Sequence, residues 1–300
     1  MYEIADRLLA AVDAGRTLAV ATAISIEGSA PRTVGTSMAW DGEAVIGSIA
    51  GGCVEGAVVE VCAQVLADGV SRTVEYGVSD ETAFDVGLTC GGQLRIHVQV
   101  LTDELANALR EGASVEVCRE FTETRPVTRR MIIFGAMEFS AALSAAAQTM
   151  GFRVTVCDPR SLFATSTRFP GAELVVQWPT EFLASTPIDE NTVICVLSHD
   201  ARFDAELIAQ ALALPVAYVG AMGSRNTHDR RIASLRERGV DDAALASLHS
   251  PIGLDLGSST PEETAISILA EVLSARADST ALPLTVLDGA IHGRSLRVRN

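Results

Sequence analysis

From Met131 onward, apolar runs of strand length alternate with helical patterns, and this alternation constrains the fold more than any other feature. Strand and helix in regular succession predict a parallel sheet with helices on its faces. Residues 131–134 read as a buried strand, 138–150 as an Ala-rich helix and 153–157 as the next strand. Further strands are expected at 174–177, 192–197 and 216–219, and helices at 204–213, 227–238 and 261–275. Strand, Gly turn, helix, strand and acidic residue is the Rossmann order. Gly135 takes the first glycine position, and Asp158 stands about 20 residues beyond it, a spacing suited to ribose hydroxyls. The turn reads Gly135-Ala136-Met137-Glu138-Phe139-Ser140. Met137 stands where a second glycine would let backbone reach a pyrophosphate, and Glu138 puts negative charge beside it. The pattern therefore predicts the fold more firmly than NAD(P) binding; the other reading is a Rossmann-like domain kept for architecture or assembly.

The first hundred residues are different. A helix is expected at 4–14, strands at 17–26, 72–76 and 94–101, and a hairpin of Ser37–Trp40 with residues 43–46 around Asp41-Gly42. After the hairpin comes Gly47-Ser48-Ile49-Ala50-Gly51-Gly52-Cys53-Val54-Glu55-Gly56, with four glycines and one cysteine in ten residues, followed by a helical run. Glycines let the backbone bend sharply, amides at a helix start attract negative charge, and the same location favours a thiolate. One reading is an anion-cradling loop with a reactive or ligating sulfur. The other is a Gly-rich turn with a buried cysteine. A second such loop, Thr89-Cys90-Gly91-Gly92-Gln93, precedes the strand at 94–101, and the two are expected to meet in one pocket. Arg32 is the strong cation of the loop 27–35, either gripping an anion or solvated.

These patterns predict an α/β protein, with a small mixed α+β N-terminal domain over 1–101 and a Rossmann-like doubly wound parallel-sheet domain over 129–280. Residues 102–128 read as a linker with one short helix and one short strand. Residues 281–300 read as a tail, either a docking arm or disordered.

Composition narrows the function. The formal net charge of −15 argues against nucleic acid and against an anionic membrane surface. No stretch is long and apolar enough to span a bilayer. The acidic start, Met1 to Asp6, does not resemble a signal peptide, and a cytoplasmic location is expected. None of the six cysteines forms a Cys-x-x-Cys pair, so free thiols are expected, with Cys62, Cys157 and Cys195 in the core and Cys118 uninformative. Ser198-His199-Asp200 and Gly223-Ser224-Arg225 follow two strands of the second half, at the carboxyl ends where such sheets bind ligands. His199 is an acid, base or ligand candidate, or a loop residue; Ser224 and Arg225 are candidates for a phosphate, or solvated. Thr260-Pro261-Glu262-Glu263 reads as a helix-starting capping box.

Several of these motifs together resemble the XdhC/CoxI family, accessory proteins of molybdenum hydroxylases. They are Gly28-Ser29-Ala30-Pro31-Arg32 with Gly35, Gly47 to Glu55, Cys90-Gly91-Gly92, Ser198-His199-Asp200, Tyr218-Val219-Gly220 with Gly223-Ser224-Arg225, and Pro251 to Asp255 with Ala270-Glu271. Three departures stand out: Ala50 for a third consecutive glycine, Met137-Glu138 for Gly-His, and Asn226 for a basic residue. The resemblance implies a maturation factor that binds molybdenum cofactor, a molybdopterin. It would shelter the cofactor while a cysteine desulfurase adds the sulfido ligand, then deliver it to the apo-hydroxylase. Ser29, Arg32, Gly51, Gly52, Cys53, Glu55, Cys90, Gly91, Gly92, His199, Asp200, Ser224 and Arg225 are the implied cofactor contacts, with Cys53 a possible molybdenum ligand. Gly135 and Asp158 would be nucleotide contacts. A homodimer is expected, without turnover of its own. Two alternatives are an NAD(P)-dependent oxidoreductase, and a scaffold that docks sulfurase and hydroxylase without holding the cofactor.

Overall fold

The computed structural model describes residues 1–27, 32–77, 93–277, 279–288 and 297–298. Contacts divide the chain into two compact units, Met1–Pro126 with Leu282–Asn300, and Val127–Ala281.

The first unit is built on a five-stranded antiparallel sheet. Its strands are β1 (Ala19–Glu27), β2 (Ser37–Trp40), β3 (Val45–Gly47), β4 (Arg72–Tyr76) and β5 (Gln93–Val100), in the order β3-β2-β1-β5-β4. Alternation along β1 sends side chains to two cores. Ala19, Ala21 and Ala23 face α2 (Glu55–Asp68), which buries Val58, Cys62 and Val65 at helical spacing. Val20 faces Leu8 and Ala11 of α1 (Ala5–Asp13) on the other side. That second core also takes Leu109 of α3 (Asp103–Glu111) and Val115 and Val117 of β6 (Val115–Cys118), which pairs with β7 (Phe121–Glu123). The stretch expected to be a spacer therefore carries a helix and a two-stranded hairpin, and its apolar side chains close one face of the sheet. Leu287 of β14 (Leu287–Asp288) pairs with Val298 of β15 (Arg297–Val298).

Register fixes a feature that matters for the site. Glu27 pairs with Gln93, Tyr76 with Leu94, Thr22 with Ser37 and Met38 with Gly47, all antiparallel. So β1, β3 and β4 finish at one end of the sheet, where β2 and β5 begin. The described strand ends flanking residues 28–31 and 78–92, and the end of β3 that leads into the Gly-Cys loop, all lie at that end.

The second unit is a six-stranded parallel sheet of β8 (Arg130–Phe134), β9 (Arg153–Cys157), β10 (Glu173–Val175), β11 (Thr192–Val196), β12 (Tyr218–Ala221) and β13 (Leu248–His249). Its order, β10-β9-β8-β11-β12-β13, is the doubly wound Rossmann order with a switch point between β8 and β11. Continuous apolar runs are what a sheet covered on both faces requires. Met131, Ile133, Val154 and Cys195 pack under α4 (Glu138–Thr149) and α9 (Pro261–Ala277). Ile132, Phe134, Ile194 and Val196 pack on α5 (Pro179–Ser185), α6 (Asp204–Leu212) and α7 (Arg225–Glu237) through Phe182, Leu207 and Leu235. The short α8 (Asp242–Ala246), with α5 and β13, carries too little periodicity to be seen in the sequence. The capping box forms as expected, with the Glu263 amide donating to Thr260 Oγ1 at 3.2 Å and the Thr260 amide to Glu263 Oε2 at 3.2 Å. Among the described residues, no helix is long and apolar enough to cross a membrane.

Candidate functional site

In the first unit the Gly-Cys loop joins β3 to α2, which begins at Glu55, so Cys53 stands two residues before the helix. Cys53 is half-buried at the edge of the core under α2. Gly51 and Gly52 are exposed, take φ of +78° and +111°, and have open space where a Cβ would lie. Only glycine adopts such a pair without strain, and the bare backbone lets a large ligand come close to the neighbouring sulfur.

The loop amides do not face outward as expected from the sequence. They turn onto the Glu55 carboxylate. Its Oε1 accepts from Ser48 Oγ at 2.7 Å, Ala50 N at 3.0 Å and Ile49 N at 3.2 Å. Its Oε2 accepts from Gly52 N at 2.8 Å and Val54 N at 3.2 Å. The Gly51 amide donates to Ser48 Oγ at 3.2 Å. Partial burial alone would raise the Glu55 pKa, but the bonds from Ala50, Ser48, its own amide and Gly52 outweigh it and bring it down to about 2. Glu55, expected to touch cofactor, thus spends its acceptor capacity inside the loop. Arg32, exposed, pairs with Glu3 at 2.7 Å, as surface arginines commonly do. Ser29, Cys90, Gly91 and Gly92, and the meeting of the two Gly-Cys loops, lie outside the described residues.

In the second unit a cleft of about 330 Å³ opens at the carboxyl ends of the strands, lined by Gly135, Met137, Asp158, Arg160, Ser198 and His199 among others. Gly135 has φ of +105°, and a Cβ there would lie 2.9 Å from the Ser198 amide, so glycine is required for the close approach of these two turns. The sequence motifs at Gly135, Asp158 and Ser198-His199-Asp200 are thus brought together. Both Asp158 oxygens have partners within the protein. Its Oδ1 accepts from the Arg160 amide and Nε at 2.9 Å each, and its Oδ2 from Arg160 Nη2 at 2.7 Å and the Ala136 amide at 2.8 Å. Burial opposes ionisation, but these bonds hold its pKa below the usual carboxylate value. The partnership with Arg160 is not legible in the sequence, because a residue two places along a loop can point anywhere. Asp200 is likewise engaged by Arg202, whose guanidinium lies over Trp178, and this pairing takes its pKa to about 2. His199 is exposed in the cleft mouth. Ser198 Oγ is buried without a hydrogen-bond partner among the described residues. Ser224 caps α7 by accepting from the Thr227 amide at 3.2 Å, and Arg225, exposed, is the first residue of that helix; neither lines this cleft. Among the described residues, no group of three or more His, Cys, Asp or Glu is placed to hold a metal ion.

The two units define a class: an antiparallel sheet bearing a thiol-tipped glycine loop, joined to a Rossmann-like sheet whose acidic residue is internally paired. The XdhC and CoxI family model matches residues 11–77, and the XdhC Rossmann domain model matches residues 131–272. The chain belongs to the XdhC and CoxI family. It is similar to the uncharacterized protein YqeB of Escherichia coli (strain K12), 27% identical over 258 residues, which are 86% of this chain and 43% of YqeB. The chain thus spans less than half the length of that relative. It is 24% identical to a probable xanthine dehydrogenase subunit of Bacillus subtilis (strain 168), covering 86% of this chain and 92% of the other. It is 28% identical to the molybdenum cofactor insertion chaperone PaoD of Escherichia coli (strain K12), covering 89% of this chain and 86% of PaoD. Among solved structures, a crystal structure of a xanthine dehydrogenase from Bacillus halodurans shares the fold, with a TM-score of 0.78 and 24% identity over 95% of this chain and 98% of that one.

Proposed function

We propose that this protein is a maturation factor that carries molybdenum cofactor and inserts it into a molybdenum hydroxylase of the xanthine or carbon monoxide dehydrogenase type. The observation that carries the reading is a half-buried thiol, Cys53, beside two bare, exposed glycines. A cysteine sulfur there is a soft ligand suited to a dithiolene-bound metal, and Gly51 and Gly52 leave room for a bulky pterin. The names of the relatives PaoD and the Bacillus subtilis protein support the same reading. So does the sheet topology, which brings the ends of β1, β3 and β4 to one end of the sheet. In this reading Cys53 meets the cofactor, and the connections that follow β1 and β4 complete the basin. The loop amides do not hold its phosphate, because they already surround Glu55. A cysteine desulfurase that adds the sulfido ligand is the second partner, and the protein works as a cytoplasmic homodimer without turnover.

The NAD(P) reading is not adopted. Both Asp158 oxygens are engaged by Arg160 and Ala136, and Met137 lines the cleft where a second glycine would stand.

Purified protein mixed with molybdenum cofactor is expected to co-elute with pterin fluorescence on gel filtration. Cys53→Ala should lose about tenfold or more of the bound fluorescence, the equivalent of roughly 1.4 kcal/mol. Absence of co-elution by the unaltered protein, or full retention by the variant, overturns the reading.

A further inference from the structure

We infer that Glu55 is the positioning residue of the Gly-Cys loop: its carboxylate is the resident anion of a nest of loop amides, and it sets where the Cys53 sulfur stands. Ser48 Oγ and the amides of Ile49, Ala50, Gly52 and Val54 converge on one carboxylate, and the Glu55 amide joins them. The Gly51 amide reaches Ser48 Oγ, which itself donates to Glu55, so that residue is held at second hand. Cys53 lies between Gly52 and Val54, whose amides both bind Oε2. The sulfur is therefore carried on a segment pinned on either side by one oxygen.

Concave rings of backbone amides bind anions because their dipoles point to a common centre. Here the anion is built into the chain, at the first residue of the helix whose start contributes to the same field. Charge is essential to the arrangement. An amide of the same shape offers one acceptor oxygen and turns an NH2 toward the N–H groups of Gly52 and Val54 or of Ile49 and Ala50, so donor would face donor. A guest phosphate entering this nest would meet a carboxylate of like sign. What the loop leaves open beside Cys53 is therefore the bare face of Gly51 and Gly52. This deepens the cofactor-carrier reading, but its test needs no cofactor, so the two fail separately.

The test is the alkylation rate of each cysteine, resolved by peptide mass, with iodoacetamide as probe. Cys62 is fully buried on α2 and reports on folding of the unit, and Cys118 is half-buried on β6 and serves as reference. In Glu55→Ala, Cys53 should react at least about fivefold faster, with Cys62 and Cys118 unchanged. Added formate should refill the nest and return Cys53 toward the rate of the unaltered protein, which itself should not respond to formate. Glu55→Gln should accelerate Cys53 by a comparable factor and ignore formate, because its side chain still fills the space. It carries the test if the Ala variant exposes Cys62. Unaltered Cys53 reactivity in the Gln variant, or acceleration in a folded Ala variant that formate does not reverse, overturns the assignment.

Discussion

Glu271→Ala is expected to destabilise the second unit by about 3–5 kcal/mol, a fall in midpoint on the order of 10 °C by calorimetry. Glu271 projects from α9 with its side chain 16% exposed. Oε2 accepts from the Tyr218 hydroxyl at 2.5 Å and from the Gly253 amide at 2.7 Å, while Oε1 lies 3.1 Å from His249 Nδ1. The Tyr218 and His249 rings stack at 4.4 Å. One carboxylate thus ties α9 to β12, β13 and the turn after it. Its removal strands a buried phenol and a half-buried amide, and each unsatisfied donor costs more than a hydrogen bond gains. Burial works against ionisation of Glu271, but His249, Tyr218 and Gly253 together hold its pKa below the ordinary value. A carboxyl with a lowered pKa in the folded state contributes stability above its unfolded pKa, and loses it as pH falls through the folded one. Acid unfolding of Glu271→Gln should accordingly show a weaker pH dependence below the ordinary carboxyl range. A loss under 1 kcal/mol in the Ala variant would contradict this account.

Arg231→Met should cost a similar amount, about 3–5 kcal/mol, by urea unfolding. The Arg231 side chain, on α7, is 2% exposed. It donates through Nε to Asp204 Oδ2 at 3.1 Å, through Nη1 to Ser250 Oγ at 2.8 Å and through Nη2 to the Met222 carbonyl at 3.0 Å. Asp204 Oδ1 is already buried without a partner among the described residues, so loss of the cation leaves the whole carboxylate uncompensated. Removing one partner of such a pair is far costlier than replacing both by apolar groups. The double variant Arg231→Met with Asp204→Leu should therefore recover most of the stability. A double variant no better than the single one would place the cost elsewhere than in the stranded charge. Asp204 directly follows Phe203, which lines the cleft, so the brace also holds that wall in place.

The sequence is legible where periodicity is strong. The strand at 153–157 and the hairpin strand Ser37–Trp40 fall where the pattern puts them, because each is an apolar run bounded by turn residues. The helix before Ala277 announces its start through Thr260 and Glu263, whose capping is local. The stretch 102–128 reads as a spacer because α3, β6 and β7 are short, and their apolar residues gain meaning only against Leu8 and Val20. At the candidate site, residue types are readable and directions are not. Glu55 and Asp158 both stand out as acids in suggestive loops, and both prove to serve the protein's own amides and arginines. Tyr218 and Glu271 lie in family-like motifs, yet their pairing across 53 residues leaves no local trace.

By itself, the sequence determined the doubly wound sheet, the glycine-framed thiol and the family, because apolar period and glycine placement are properties of neighbouring residues. Only the tertiary structure decided which charges remain available to a ligand. A carboxylate's partners come from whatever backbone folding brings within about 3 Å of it, and the Glu55 nest and the Asp158–Arg160 pair exist only once those loops have closed.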